Sequence, residues 1–188
     1  NPEGYKTTVT ADNAYNAKKA VEYSYKWTDS ESAVRNPSFG VYDYYGGNCQ
    51  NFASQCLYAG GIPMDIKGRI ELQWKWYGEK TDYSQSKNGR SYSWASTGYF
   101  YDYAKYNTGF GLVAELDRNL YSARVGDLIY MFVDDVAYHT VIVTDIVKDS
   151  DGNVIDLLIN SNTTDKIDFP LSAYPYTDQR LVKIIGWN

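Results

Sequence analysis

The chain has 188 residues, with 18 Lys plus Arg against 23 Asp plus Glu, for a net charge of −5. Hydrophobic residues make up 44% and charged residues 22%, so one ordinary domain with a real core is expected and wholesale disorder is not. The acidic balance argues against a nucleic-acid partner held through phosphates. No basic run would dock the chain on a membrane, and no apolar stretch approaches the roughly 18 residues of a transmembrane helix.

Two residue counts narrow the chemistry. There is one histidine, so a metal site built from several imidazoles is excluded and any mechanism that needs an imidazole must use His139. No metal and no organic cofactor is expected. There are 20 Tyr and 5 Trp, an excess that suits a surface handling extended polar ligands such as glycans or peptides. A single domain over residues 1–188 is expected, as a monomer. The start at Asn1 rather than Met suggests a mature fragment or a piece of a larger secreted protein.

In chain order, residues 1–10 read as a polar lead-in. A helix is predicted from an N-cap at Thr10 or Asp12 to about Trp27, with Ala14, Ala17, Val21 and Tyr25 on one face. Residues 29–39 read as loop. After Gly46-Gly47, residues Cys49, Phe52, Ala53, Cys56 and Leu57 fall at i, i+3, i+4, i+7 and i+8, which predicts an amphipathic helix ended by Gly60-Gly61 and Pro63. Residues 64–112 predict loops and short helices: one over 72–77, a polar stretch over 81–92, and an aromatic helix over 94–106. The remainder reads as strands at 127–132, 138–147, 154–160 and 181–186, with Asp149–Asn153 as a hairpin turn. Helices followed by a meander of strands predict an α+β fold with an antiparallel sheet.

Cys49 is placed in the first turn of its helix. There the dipole and the unpaired backbone N–H groups lower a thiol's pKa and could stabilise an oxyanion. Gly46 and Gly47 would let a substrate backbone come close. Cys56, two turns further along the apolar face, reads as core. About 10 Å separates the Cα atoms of two residues seven apart on a helix, too far for a disulfide. A cysteine nucleophile needs a base, and His139, on a strand, supplies the imidazole. A third group should orient that imidazole from the end of the following strand. Asn162 is the expected residue, with Asn160 and Asp165 as rivals. Gly47, Asn48, Trp94 and Tyr138 are expected at substrate contacts, and Trp74, Trp76, Tyr77, Tyr99 and Tyr101 divide between a substrate groove and the core. Asp127, after Gly126 at a strand start, reads as a turn residue.

The run Gly46-Gly47-Asn48-Cys49-Gln50-Asn51-Phe52-Ala53-Ser54-Gln55-Cys56-Leu57-Tyr58-Ala59-Gly60-Gly61-Ile62-Pro63-Met64 resembles the signature of the bacterial putative amidase domain family. That family lies in the papain-like group that also holds the NlpC/P60 and CHAP peptidoglycan hydrolases. Tyr15-Asn16, Ala20-Val21, Asn36-Pro37, Trp94, Gly126-Asp127 and His139 match as well, so the resemblance spans roughly residues 14–172. It implies an N-terminal helical part on a C-terminal antiparallel sheet. It also implies a Cys49 nucleophile, a His139 base and a polar third residue after the next strand, acting on amide bonds of peptide or peptidoglycan outside the cell or at its surface. Two positions depart from the pattern: Asn48 stands where the family has Asp, and Asn162 where it has His. An amine acceptor in place of water (a transamidase) and a binding module that has lost catalysis are the rival readings.

Overall fold

The structure, a computed structural model, describes residues 9–66, 75–78 and 89–188. It is α+β, and every strand ladder is antiparallel. The elements are β1 (Asn13–Ala14), α1 (Ala17–Lys26), α2 (Cys49–Ala59), α3 (Tyr92–Ala95), α4 (Thr97–Tyr106), β2 (Leu112–Asp117), β3 (Leu128–Val133), β4 (Val136–Lys148), β5 (Val154–Ser161), β6 (Lys166–Pro170) and β7 (Asp178–Trp187).

The first helix is shorter than the sequence predicts. Its N-cap is Asn16, whose side chain accepts from the Lys19 amide, so neither Thr10 nor Asp12 caps it. Residues 13–14 are extended instead and pair with Gly186 and Trp187. Ala20, Val21 and Ser24 face inward, while Tyr25 is exposed. The second helix begins at Cys49, as its spacing predicts, and ends at Ala59. The aromatic helix is broken at Ser96, whose extended backbone separates α3 from α4. Most of the segment expected as helix over 72–77 lies outside the described residues. Its end is extended, because Trp76 bridges Asp65 in both directions. The polar stretch over 81–92 lies largely outside them too.

The β3-β4-β5 run of the meander is as expected, β6 extends it where no strand was predicted, and the Asp149–Asn153 turn is closed by Asp149 accepting from the amides of Asp151 and Asn153. The last strand does not extend the meander. It inserts between β3 and β2, giving the order β1-β7-β3-β4-β5-β6 with β2 on the other edge of β7. Alternation along the strands builds two cores. Leu128, Tyr130, Phe132, Ile142 and Val182 pack toward Phe52, Cys56 and Leu57 of α2 and toward Trp76 and Trp94. Ile129, Met131, Val141, Val143 and Leu181 pack on the opposite face with Leu157, Ile159 and Leu171.

Candidate active site

The site grows from α2, whose polar side chains are pegs into its surroundings. Asn48 occupies the N-cap position but does not cap. Its Oδ1 accepts from the Tyr42 amide (3.1 Å) and from Asn51 Nδ2 (2.8 Å), and its Nδ2 donates to Asn162 Oδ1 (3.0 Å). Asn51 also donates to the Gly40 carbonyl (2.8 Å) and accepts from the Trp94 indole (2.8 Å). Gln50 accepts from the Tyr130 hydroxyl and donates to Ser54, which in turn donates to the Trp94 carbonyl. On the outer side, Tyr23 donates to Gln55 and accepts from Asn36. Buried amides of this kind are costly unless satisfied, and here they tie the helix start to the 40s loop, to β3 and to the turn after β5.

Because Asn48 spends its side chain sideways, the first-turn amides stay available to Cys49. The thiol is 7% exposed. Burial pushes its pKa above the ordinary value, against the pull of three backbone N–H groups: those of Thr140, Gln50 and Cys49 itself. The low thiol pKa expected from helix position is therefore corrected, since desolvation outweighs the amides in the unliganded site. Cys56 is wholly buried, and both cysteines are free.

Thr140 follows His139 in β4. The β4–β5 ladder begins at Ile142 and Asn160, so the strands have parted at Thr140, whose backbone N–H favours the Cys49 thiolate. His139, one residue earlier, is buried, and burial alone lowers its pKa from 6.5 to about 4. Its ring lies 5.8 Å from that of Tyr174, whose hydroxyl pKa is raised by burial. The imidazole is neutral at pH 7 and the thiol protonated.

Asn162 does not orient this imidazole. Its Oδ1 receives Asn48, and its Nδ2 donates to the Trp27 carbonyl (3.2 Å) and Asp165 (3.4 Å). The rivals are engaged elsewhere too: Asn160 donates to Ser24 and accepts from the Asp168 amide, and Asp165 pairs with Arg35. Asn48 and Asn162 are therefore hydrogen-bonded to each other.

Two hollows share Tyr138, one lined by Cys49 and the other by His139. One, of about 280 Å³, is lined by Cys49, Gly46, Gly47, Tyr45, Arg90, Tyr92, Tyr99 and Tyr138 among others. The other, of about 270 Å³, is lined by His139, Tyr138, Thr163, Lys166 and Tyr174 among others. Gly46 and Gly47 have φ of +95° and +102°, which explains glycine there without invoking a close approach. Gly47 and Tyr138 line the hollow beside Cys49. Asn48 and Trp94 do not: both are buried and fully bonded, and they form the frame beneath the cleft. Trp76, Tyr77 and Tyr101 are core, Tyr99 is cleft wall, and Trp74 lies outside the described residues.

Arg35 was not singled out from the sequence. Its guanidinium makes two hydrogen bonds to Asp43 (both 2.8 Å) and two to Asp165 (2.8 and 2.7 Å). Thr163 links the same loops, donating to Asp43 (2.5 Å) and accepting from the Asn48 amide (3.0 Å). An isolated arginine in a loop carries no sequence signal of such a clamp. Asp127 is the turn residue expected, accepting from the Arg124 and Ile184 amides. Among the described residues, no three His, Cys, Asp or Glu are grouped to hold a metal, and no helix is long and apolar enough to cross a membrane.

Residues 14–185 match the family described as "Putative amidase domain". An uncharacterized protein of Bacillus subtilis (strain 168), YhbB, is 33% identical over 153 residues, which cover 80% of this chain and 42% of that protein. No solved structure matches the chain.

Proposed function

Since the chain belongs to the "Putative amidase domain" family, whose name points to amide hydrolysis, we propose that it is a cysteine amidohydrolase or peptidase of papain-like type, acting on peptide amides such as those of the bacterial cell wall, at or outside the cell surface. One observation carries the reading: the Thr140 backbone N–H is near enough to pull the Cys49 thiol pKa down, and the residue beside Thr140 is the chain's sole histidine.

With a raised thiol pKa and a lowered imidazole pKa, the resting pair is neutral, so His139 acts as a general base when substrate arrives. The Cys49 proton passes to the imidazole as Sγ bonds to the amide carbon. The carbonyl oxygen takes up negative charge, and the first-turn amides of α2 are its donors. The C–N bond then breaks, the imidazolium proton goes to the leaving amine, and a thioester remains. Water, deprotonated by His139, attacks the thioester, and Cys49 leaves with the proton. A primary amine in place of water would give transamidation by the same steps.

Cys49→Ala and His139→Ala are each expected to abolish turnover of peptidoglycan fragments while circular dichroism stays native. Full turnover in either would remove the mechanism. A second reading, a catalytically silent binding module, draws on the high thiol pKa and on Asn162 being spent on Asn48. It predicts that the parent retains wall peptide without cleaving it, and that Cys49→Ala binds equally well.

A further inference from the structure

The cleft beside Cys49 holds one cation and no carboxylate among its described lining residues, in a chain of net charge −5. That cation is Arg90. The other described arginines all sit in ion pairs: Arg35 with Asp43 and Asp165, Arg118 and Arg180 with Asp178, and Arg124 with Asp127. Arg90 has no ion pair among the described residues. It rests on the Tyr42 ring, 4.7 Å from the centroid, and makes one long bond (3.4 Å) to the Ser91 carbonyl. A guanidinium fork left unpaired at the mouth of a cleft is suited to a planar carboxylate.

The proposed chemistry decides which half of a substrate meets it. His139 protonates the departing amine, so the amine half lies toward the hollow that His139 lines. The acyl half stays bonded to Cys49 and must occupy the Cys49 cleft. Tyr45, Tyr92, Tyr99 and Tyr138 give this cleft aromatic walls, with Tyr92 and Tyr99 stacked at 5.3 Å. From this we infer that the substrate is an amide whose acyl half carries a carboxylate, held by Arg90. The inference rests on the Cys49–His139 reading for the direction of the substrate.

The test compares glutaryl-alaninamide with its neutral isostere, glutaramyl-alaninamide. Binding is measured by calorimetry on Cys49→Ala, and hydrolysis on the parent. The carboxylate compound is expected to bind about tenfold more tightly. Arg90→Gln should erase that preference, and Arg90→Lys should keep part of it. Arg90→Lys also covers the case in which the Gln variant misfolds, because loss of the native circular dichroism signal would disqualify that variant alone. Equal binding of the two compounds, or a preference that survives in a folded Arg90→Gln, overturns the inference. The two readings fail separately. Arg90-dependent binding with no hydrolysis sinks the catalytic proposal and leaves standing the carboxylate site at Arg90. Hydrolysis of both compounds at equal rate and affinity does the reverse.

Discussion

At the scale of single residues, the buried amide pair decides most. Asn48→Asp would face a carboxylate toward Asn162 Oδ1, an acceptor now 3.0 Å away, and would bury a charge beside the thiol. A loss of about 1–3 kcal/mol is expected in urea unfolding, along with a further rise in the Cys49 pKa. Adding Asn162→His gives that carboxylate an N–H donor, so the double variant should recover, with a coupling energy of about 0.5–3 kcal/mol. Additive losses would show that the two positions are not partners in solution. His139 sets an acid window of its own. Its folded pKa of about 4 lies below the unfolded 6.5, so the unfolded chain binds more protons between those values. Stability present above pH 6.5 is lost as pH falls toward 4, by about 3 kcal/mol for this group. His139→Gln, which does not titrate, should unfold with a flatter pH profile across that window. The sequence singles out Cys49 by its position on a helix and His139 by the scarcity of imidazole. What each side chain touches is not legible there. Asn48, Asn162 and Trp94 are polar or aromatic residues near a nucleophile, and only packing reveals that they brace the site from below.

At the scale of elements, legibility followed periodicity. The second helix was readable because its apolar positions repeat at 3.6 and glycines stop it. The strand over 112–117 was not: Leu, Ala, Glu and Asp favour helix or disfavour strand, and its pairing to β7 overrides them. The short strand over 166–170 is an edge ending at Pro170, with a weak alternation on a mostly exposed surface. Loops were the least legible, and one of them carries a clamp with a testable cost. Arg35 is 11% exposed, between Asp43 and Asp165 at 17% and 10%. Arg35→Ala leaves two largely buried carboxylates without a counter-ion, and about 3–5 kcal/mol of stability should be lost in chemical denaturation. Asp43, whose pKa the guanidinium holds below the ordinary carboxylate value, should titrate higher in the variant. An unchanged midpoint would mean that solvent already screens the cluster.

At the scale of the whole molecule, one sheet serves two cores, so the faces should rise and fall together. Trp76 and Trp94 report only the helix side, whereas Leu157 lies in the opposite core. Leu157→Ala should cost about 2–5 kcal/mol, and tryptophan fluorescence should register all of it, with a midpoint coincident with circular dichroism. Two separated transitions would show that the cores melt independently. The α+β architecture and the antiparallel meander follow from the order of patterns along the chain. The insertion of β7 does not, because strand order in a sheet is set by which faces remain uncovered once the meander has formed.

That insertion has a consequence for how the protein comes into being. Synthesis proceeds from the N-terminus, and β7 is made after the other strands of this sheet, yet it sits between β3 and β2 and also holds β1. A nascent chain can zip β3 to β6 by near-neighbour hairpins as they leave the ribosome, but β2 and β1 have no partner until residues 178–187 emerge. During that interval the edges of β3 and β2 are open to strand addition by other chains, the situation in which partly made β proteins associate. Stalling translation before and after β7 and probing with a protease would therefore find a long susceptible phase that ends within a single strand's length.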